Sequence, residues 1–362
     1  MKIVNVAEMV AMEKATDAAG FSYDQMMAEA GAALADTVLA EAPARSLVLF
    51  LIGPGNNGGD GLVACARLQE AGVKAIPYIW KRKSAQDPLV AAVSDVEWAE
   101  NDPDHERLRA LLAECGVLVD ALLGTGNTRA LSGSLAELLG VVHQVLAERR
   151  RWQPRRFDPT RPSSRPELLV VACDCPSGLF CDTGQLDPLA LPADITVTFA
   201  LPKRGHFLQP GASACGRLVI ADINIDRGLA PEDAPDLLTP YEIASLLPER
   251  PPAAHKGTFG RALIVAGSAN FPGAAIIASI AAYRVGAGLV HLAAPALVGE
   301  IAASVAPEPV HTILPSDMGA LTEEALPLLE SLLPGHKALL VGPGIGRDPR
   351  TVELVEALLT GK

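Results

Sequence analysis

Residues 53–61 read GPGNNGGDG and directly follow the apolar run 46–52. A glycine-rich turn between a strand and a helix N-terminus presents backbone N–H groups and the positive helix end to an anion, with no Cβ in the way. Gly53, Gly55 and Gly58 formally meet the dinucleotide fingerprint G-x-G-x-x-G. That fingerprint also calls for an acid about twenty positions on, at the end of the next strand, to hold a ribose. Here that strand ends in Trp80-Lys81-Arg82-Lys83, which suits only a 2′-phosphate. No Walker lysine follows the turn, so a P-loop is excluded. Asn56, Asn57 and Asp60 add oxygen and amide groups that phosphate binding does not require. Turn chemistry alone would account for them, because Asn and Asp tolerate left-handed backbone and cap helices.

Two further apolar runs end in groups of the same kind. Asp120 is followed by Ala-Leu-Leu-Gly-Thr-Gly, and Asp174 by Cys-Pro-Ser-Gly. Ligands of an open parallel sheet lie beyond the carboxyl ends of its strands, so three such ends converge on one edge. A carboxylate there, followed by Gly-x-Gly or Pro-Ser-Gly, points to binding or catalysis rather than packing.

The elements that must position these groups follow from periodicity. Apolar residues at helical spacing predict two helices before residue 42. Strands at 46–52, 73–80, 116–124, 167–174, 194–200 and 216–223 then alternate with helices starting near 62, in the stretch up to 113, and near 134. Apolar strands separated by helices imply a doubly wound, Rossmann-like, mostly parallel sheet covered on both faces. Residues 149–166 break the pattern with seven arginines and four prolines and are expected as a surface insertion. Residues 228–254 are proline-rich and are expected as a linker between domains 1–227 and 255–362. A second alternation of strands and helices starts near 261 and ends with GPGIGRDP and one more helix.

Length and composition agree with that division. At 362 residues the chain has room for two domains. Its formal net charge of −12 argues against a nucleic-acid partner or an anionic membrane surface, since an acidic surface repels phosphates. The N-terminal residues carry no uninterrupted apolar core, so neither a secretory signal nor a membrane span is expected there, and the chain is expected in the cytoplasm. The six cysteines fall in apolar segments, where they are expected as small buried hydrophobes rather than disulfides or metal ligands.

GPGNNGGDG followed by Ala66, Arg67 and Leu68, VDALLGTG at 119–126, and DCPSG at 174–178 resemble, in order and spacing, the NAD(P)H-hydrate epimerases. The resemblance covers residues 1 to about 225, with Cys175 standing where family members carry an aliphatic residue. Residues 255–290 and VGPGIG at 341–346 resemble the opening of the ADP- or ATP-dependent NAD(P)H-hydrate dehydratases, which have a ribokinase-like fold. Fused in this order, the two resemble the bifunctional nicotinamide nucleotide repair enzymes.

The resemblance implies a small-molecule substrate, hydrated NADH or NADPH, held by Asn56, Asn57, Gly58, Gly59 and Asp60 and by Gly124, Thr125, Gly126, Asn127, Thr128, Arg129 and Ala130. It implies a potassium ion on Asn57, Asp120 and Ser177, and Asp174 beside the hydrated ring as the general acid/base that inverts the hydroxyl-bearing carbon. In the second domain it implies that Lys256, Gly257, Ala274 and Gly344 cradle the hydrate, with ADP or ATP and Mg2+ as cofactors. The family's nucleotide-phosphate segment and catalytic carboxylate come later than Lys362, so this domain is expected to be partial and the dehydratase reaction incomplete on this chain. A homo-oligomer is expected. Two other readings stay open on the residues alone: an NADP-dependent oxidoreductase, from the glycine pattern and Lys81-Arg82-Lys83, and a non-catalytic dimerising module of the same fold.

Overall fold

The structure, a computed structural model, describes residues 1–42, 46–82, 87–150 and 168–360, and the chain divides into two compact units, Met1–Ala244 and Ser245–Lys362. Most of the arginine-rich stretch expected as a surface insertion, and Lys83, lie outside the described residues. Among the described residues no helix is long and apolar enough to cross a membrane.

In the first unit, α1 (Val6–Ala18) and α2 (Tyr23–Glu41) precede β1 (Val48–Ile52). Asn5 and Glu8 close a capping box on α1, and Ser22 and Gln25 close one on α2, so both starts follow from local sequence. The chain continues through α3 (Asn56–Glu70), β2 (Ala75–Ile79), α4 (Pro88–Ala91), β3 (Glu97–Trp98), α5 (Glu106–Glu114), β4 (Val117–Ala121) and α6 (Ser134–Arg150). It then runs through β5 (Leu169–Cys173), β6 (Ile195–Phe199), α7 (Gly211–Ala214), β7 (Arg217–Ala221) and α8 (Pro240–Leu246).

The strands form one parallel sheet in the order β3-β2-β1-β4-β5-β6-β7. β1, β2, β4 and β6 are buried at every position because helices cover both faces. One core gathers Met9, Met12, Leu34 and Val38 against Val48, Phe50 and Ile52, and the other gathers Leu108, Leu112, Leu138 and Val142 against Leu49, Leu51 and Leu118. The strand order reverses between β1 and β4, where an open α/β sheet leaves a crevice beyond its carboxyl ends.

Three differences from the sequence-based expectation bear on the site. α3 starts at Asn56 rather than near Leu62, so the residues read as a turn are the first helical turn, with Gly55 as the N-cap. The glycines answer mostly to the protein's own packing. A Cβ on Gly53 would meet Leu122 O at 1.8 Å, on Gly58 the Gly53 carbonyl oxygen at 2.1 Å, and on Gly61 the Ala121 Cβ at 2.6 Å. They bring the helix start down onto the ends of β1 and β4. Finally, the stretch expected as a linker from residue 228 is partly folded onto the first unit. Lys2 bridges Asp236, Ile3 N–H donates to Pro235 O at 2.8 Å, and the N-terminal ammonium meets Glu242 at 2.5 Å. Proline is tolerated there because the pairing is a single edge bridge rather than a central ladder.

The second unit holds β8 (Arg261–Val265), α9 (Pro272–Val285), β9 (Leu289–Ala294), α10 (Ala296–Val305), β10 (Val310–Ile313), β11 (Ser316–Asp317), β12 (Ala320–Leu321), α11 (Leu326–Leu332), β13 (Ala338–Val341) and α12 (Pro349–Thr360). Its parallel sheet runs β10-β9-β8-β13, with β11 and β12 as a separate antiparallel pair. α10 and that pair were not anticipated from periodicity.

Candidate active site

A cavity of about 850 Å³ opens beyond the carboxyl ends of β1, β4, β5 and β6. Asn56, Asn57 and Asp60 reach it from the first turns of α3, the residues from Leu122 to Arg129 from the loop after β4, Asp174 from the end of β5, and Lys203 from the loop after β6. Val10 and Glu13 of α1, and Tyr23, Asp24, Met26 and Met27 of α2, also line it. Of the residues expected to hold substrate, Asn56, Asn57, Asp60, Gly124, Thr125, Gly126, Asn127, Thr128, Arg129 and Asp174 meet here. Gly58 and Gly59 are buried in α3 behind the wall, and Ala130 does not line the cavity. Ala274 and Gly344 belong to the second unit. There a Cβ on Gly344 would stand 2.7 Å from the Ala274 Cβ, and Ser268 Oγ donates to Gly344 O at 2.7 Å.

Asp174 sits in left-handed backbone at φ +61°, a conformation aspartate tolerates better than most non-glycine residues. Its N–H donates to Val197 O at 2.7 Å. Its Oδ1 accepts from Lys203 Nζ at 2.6 Å and from Thr198 Oγ1 at 2.9 Å. Oδ2 has no hydrogen-bond partner among the described residues. Burial alone would raise this carboxyl, but the Lys203 ammonium, its hydrogen bond, His206 and Thr198 together hold it below the usual carboxylate range. Lys203 is 1% exposed, and although burial opposes its charge, the Asp174 carboxylate lifts its pKa above the ordinary lysine value. His206 accepts Lys203 N–H through Nδ1 at 3.2 Å, and burial together with the Lys203 charge pushes it down to about 4, so it is neutral at pH 7. One carboxylate oxygen is thus anchored in a buried ion pair while the other is free.

A second buried carboxylate has a different environment. Asp120 is 0% exposed at the end of β4, with no cationic partner among the described residues. Its Oδ1 accepts from Ser177 Oγ at 2.6 Å and Leu122 N–H at 3.2 Å, and its Oδ2 from Ser177 N–H at 2.8 Å. Burial pushes it up to about 6 despite these donors. The side-chain amide of Asn57, beside Gly124, is buried with neither Oδ1 nor Nδ2 hydrogen-bonded. Leaving a buried polar atom unpaired costs about 1–3 kcal/mol, so this amide calls for a ligand on each side. Asp120, Ser177 and Asn57 are hard oxygen donors with one uncompensated charge, a set that fits a monovalent cation.

Arg82, after β2, is engaged differently from the 2′-phosphate expectation. Arg82 Nη1 donates to Gly55 O at 2.9 Å and Nε to Asp87 Oδ2 at 2.7 Å, which braces the start of α3 rather than presenting a free charge.

Lys203, Thr198, His206 and Glu13 were missed from sequence. The one signal was a lysine in LPKRGH directly after an apolar strand, which reads as a solvated loop charge until the structure shows it buried.

The chain matches the family described as YjeF-related protein N-terminus over residues 23–205 and that described as NAD(P)H-hydrate dehydratase over residues 262–362. It is 36% identical over 326 residues to the bifunctional NAD(P)H-hydrate repair enzyme of Moorella thermoacetica, covering 86% of this chain and 57% of that one. It is 31% identical over 389 residues to the enzyme of the same name from Pyrobaculum aerophilum, covering 100% of this chain and 69% of that one. A crystal structure of a yeast protein aligns with 57% of this chain and 83% of its own at TM-score 0.46 and 22% identity. The chain therefore spans less than two thirds of the length of the first of these relatives.

Proposed function

Because the chain belongs to the family of bifunctional NAD(P)H-hydrate repair enzymes, we propose that its first unit interconverts the R and S hydrates of NADH and NADPH. The observation that carries this reading is the Asp174–Lys203 pair in the cavity, with one carboxylate oxygen anchored and the other free. A dihydronicotinamide ring is an enamine, so hydration places the hydroxyl on the carbon bonded to the ring nitrogen. Inverting that carbon needs proton transfer at the hydroxyl, which one carboxylate within hydrogen-bond reach can perform. Asp174 is ionised at neutral pH and serves as the base. Lys203 and Thr198 fix its orientation, so no reorganisation is needed when the proton moves.

The rest of the dinucleotide lies along the first turn of α3 and the loop after β4. In this proposal Asn57, Asp120 and Ser177 would hold a potassium ion, which would supply positive charge beside a buried carboxylate. Asn57 has an unpaired amide oxygen that could serve the cation and an unpaired amide nitrogen that could donate to the ligand. Asp120→Asn is expected to raise the potassium concentration for half-maximal rate about 10- to 100-fold, equivalent to losing a charged contact of about 1.5–3 kcal/mol. Unchanged potassium dependence in rate titrations of this variant would remove Asp120 from the cation site.

For the second unit we infer the hydrate-binding part of a dehydratase that uses ADP or ATP and Mg2+, with Ala274 and Gly344 as hydrate-facing residues. The first-unit activity is tested by chromatography of an R-enriched hydrate mixture. Equilibration faster than the spontaneous rate is expected, and a rate equal to it would overturn the reading.

A further inference from the structure

The cavity carries more acid than its bases can match. Glu13, Asp24, Asp60 and Asp174 line it, against Arg129 and Lys203. Lys203 is already committed to Asp174 at 2.6 Å. Carboxylates crowded into one partly enclosed pocket raise one another's proton affinity. Glu13 is half-buried on α1 and makes no hydrogen bond or ion pair among the described residues. The titratable and charged groups that line the cavity with it are Tyr23 and Asp24 from α2, Asp60 from α3, Arg129 from the loop after β4, Asp174 from the end of β5 and Lys203 from the loop after β6.

We propose that Glu13 is the second catalytic residue of the epimerisation, the proton donor that shares the cavity with the Asp174 base. The assignment rests on the hydrate-epimerase reading of the same site. Burial first, and then the Asp174 charge, raise the Glu13 carboxyl above its ordinary value, with Lys203 opposing, while Asp174 is held low. Two carboxyls whose environments separate them in this way divide acid and base roles.

The protonated Glu13 gives its proton to the ring hydroxyl as the carbon–oxygen bond breaks. The bonding pair leaves with the oxygen as water, and the nitrogen lone pair closes a carbon–nitrogen double bond. Water then adds to the opposite face of that carbon and passes a proton to the Asp174 carboxylate. Nothing is oxidised or reduced, and proton exchange with solvent returns Glu13 and Asp174 to their starting forms. The reverse epimerisation runs with the roles exchanged.

The experiment measures epimerisation by the full chain across pH for the wild type, Glu13→Gln, Glu13→Asp and Asp60→Asn, with thermal unfolding of each. Glu13→Gln is expected to lower kcat about 100-fold or more, the usual scale for a lost proton donor. KM should stay within about threefold, and the alkaline limb of the pH–rate profile should disappear. Glu13→Asp, which keeps the carboxyl, should recover most of the rate and keep the limb. Wild-type kcat in a folded Glu13→Gln, or an alkaline limb that survives in it and vanishes in Asp60→Asn, would overturn the assignment alone. No equilibration by the wild type would overturn the hydrate reading together with it.

Discussion

Asp174→Asn loses about 10²- to 10⁴-fold in epimerisation rate, the range for removing a general acid or base, with the fold retained. Asparagine matches the carboxylate in shape, so the Thr198 and Lys203 donors keep an oxygen to bond, while the buried Lys203 ammonium loses its counter-charge and the fold some of its stability. What disappears is the ability of the free oxygen to take a proton. The measurement is the equilibration rate of an R-enriched hydrate mixture beside a circular dichroism spectrum. A folded variant with wild-type rate would transfer the role to another group. The wild-type rate should fall as pH drops through the lowered Asp174 value, since protonation removes the base.

Lys203→Met produces the largest change in stability. It removes the ammonium from a side chain 1% exposed and leaves the Asp174 carboxylate buried without its partner. Breaking a buried ion pair from one side costs about 3–5 kcal/mol. Because Asp174 is depressed in the folded state, its share of the stability is present above the unfolded carboxyl value and is lost as pH falls through the folded one. Because Lys203 is raised, its share is present below the unfolded lysine value and is lost as pH rises through the folded one. The deficit of Lys203→Met in urea unfolding is therefore greatest between those limits and shrinks towards both extremes. Its residual activity should carry an acid limb moved to higher pH, because Asp174 regains the rise that burial imposes. Equal stability of variant and wild type at neutral pH would show that the pair contributes nothing.

Much of this site was legible before any coordinates. The apolar runs at 48–52, 117–121 and 169–173 mark buried parallel strands because both of their faces are covered, and the carboxyl end of such a strand is where a ligand sits. Asp120, Asp174 and Ser177 stand at those ends, and their polar character in apolar surroundings set them apart. Asn57 and Asp60 were picked out by residue type, but read as a loop. Helix α3 starts at Asn56 because Gly58 and Gly61 allow its first turns to pack on the ends of β1 and β4, a contact between segments that no local propensity records.

The sequence by itself determined the main strands of the two parallel sheets, the capping boxes that open α1 and α2, and which strand ends carry chemistry, since these depend on neighbours within a few positions. Only the tertiary structure decided which distant groups meet. Lys203 reaches Asp174 because β6 lies beside β5, and Glu13 joins the same cavity because α1 packs at it. It also decided the charge states. Asp120 without a cation partner is pushed up to about 6, while Asp174 beside Lys203 is pulled below its ordinary value. Two aspartates at equivalent strand ends titrate apart because burial destabilises a charge and a nearby ammonium restores it, and the distance to that ammonium is set by the packing of the sheet.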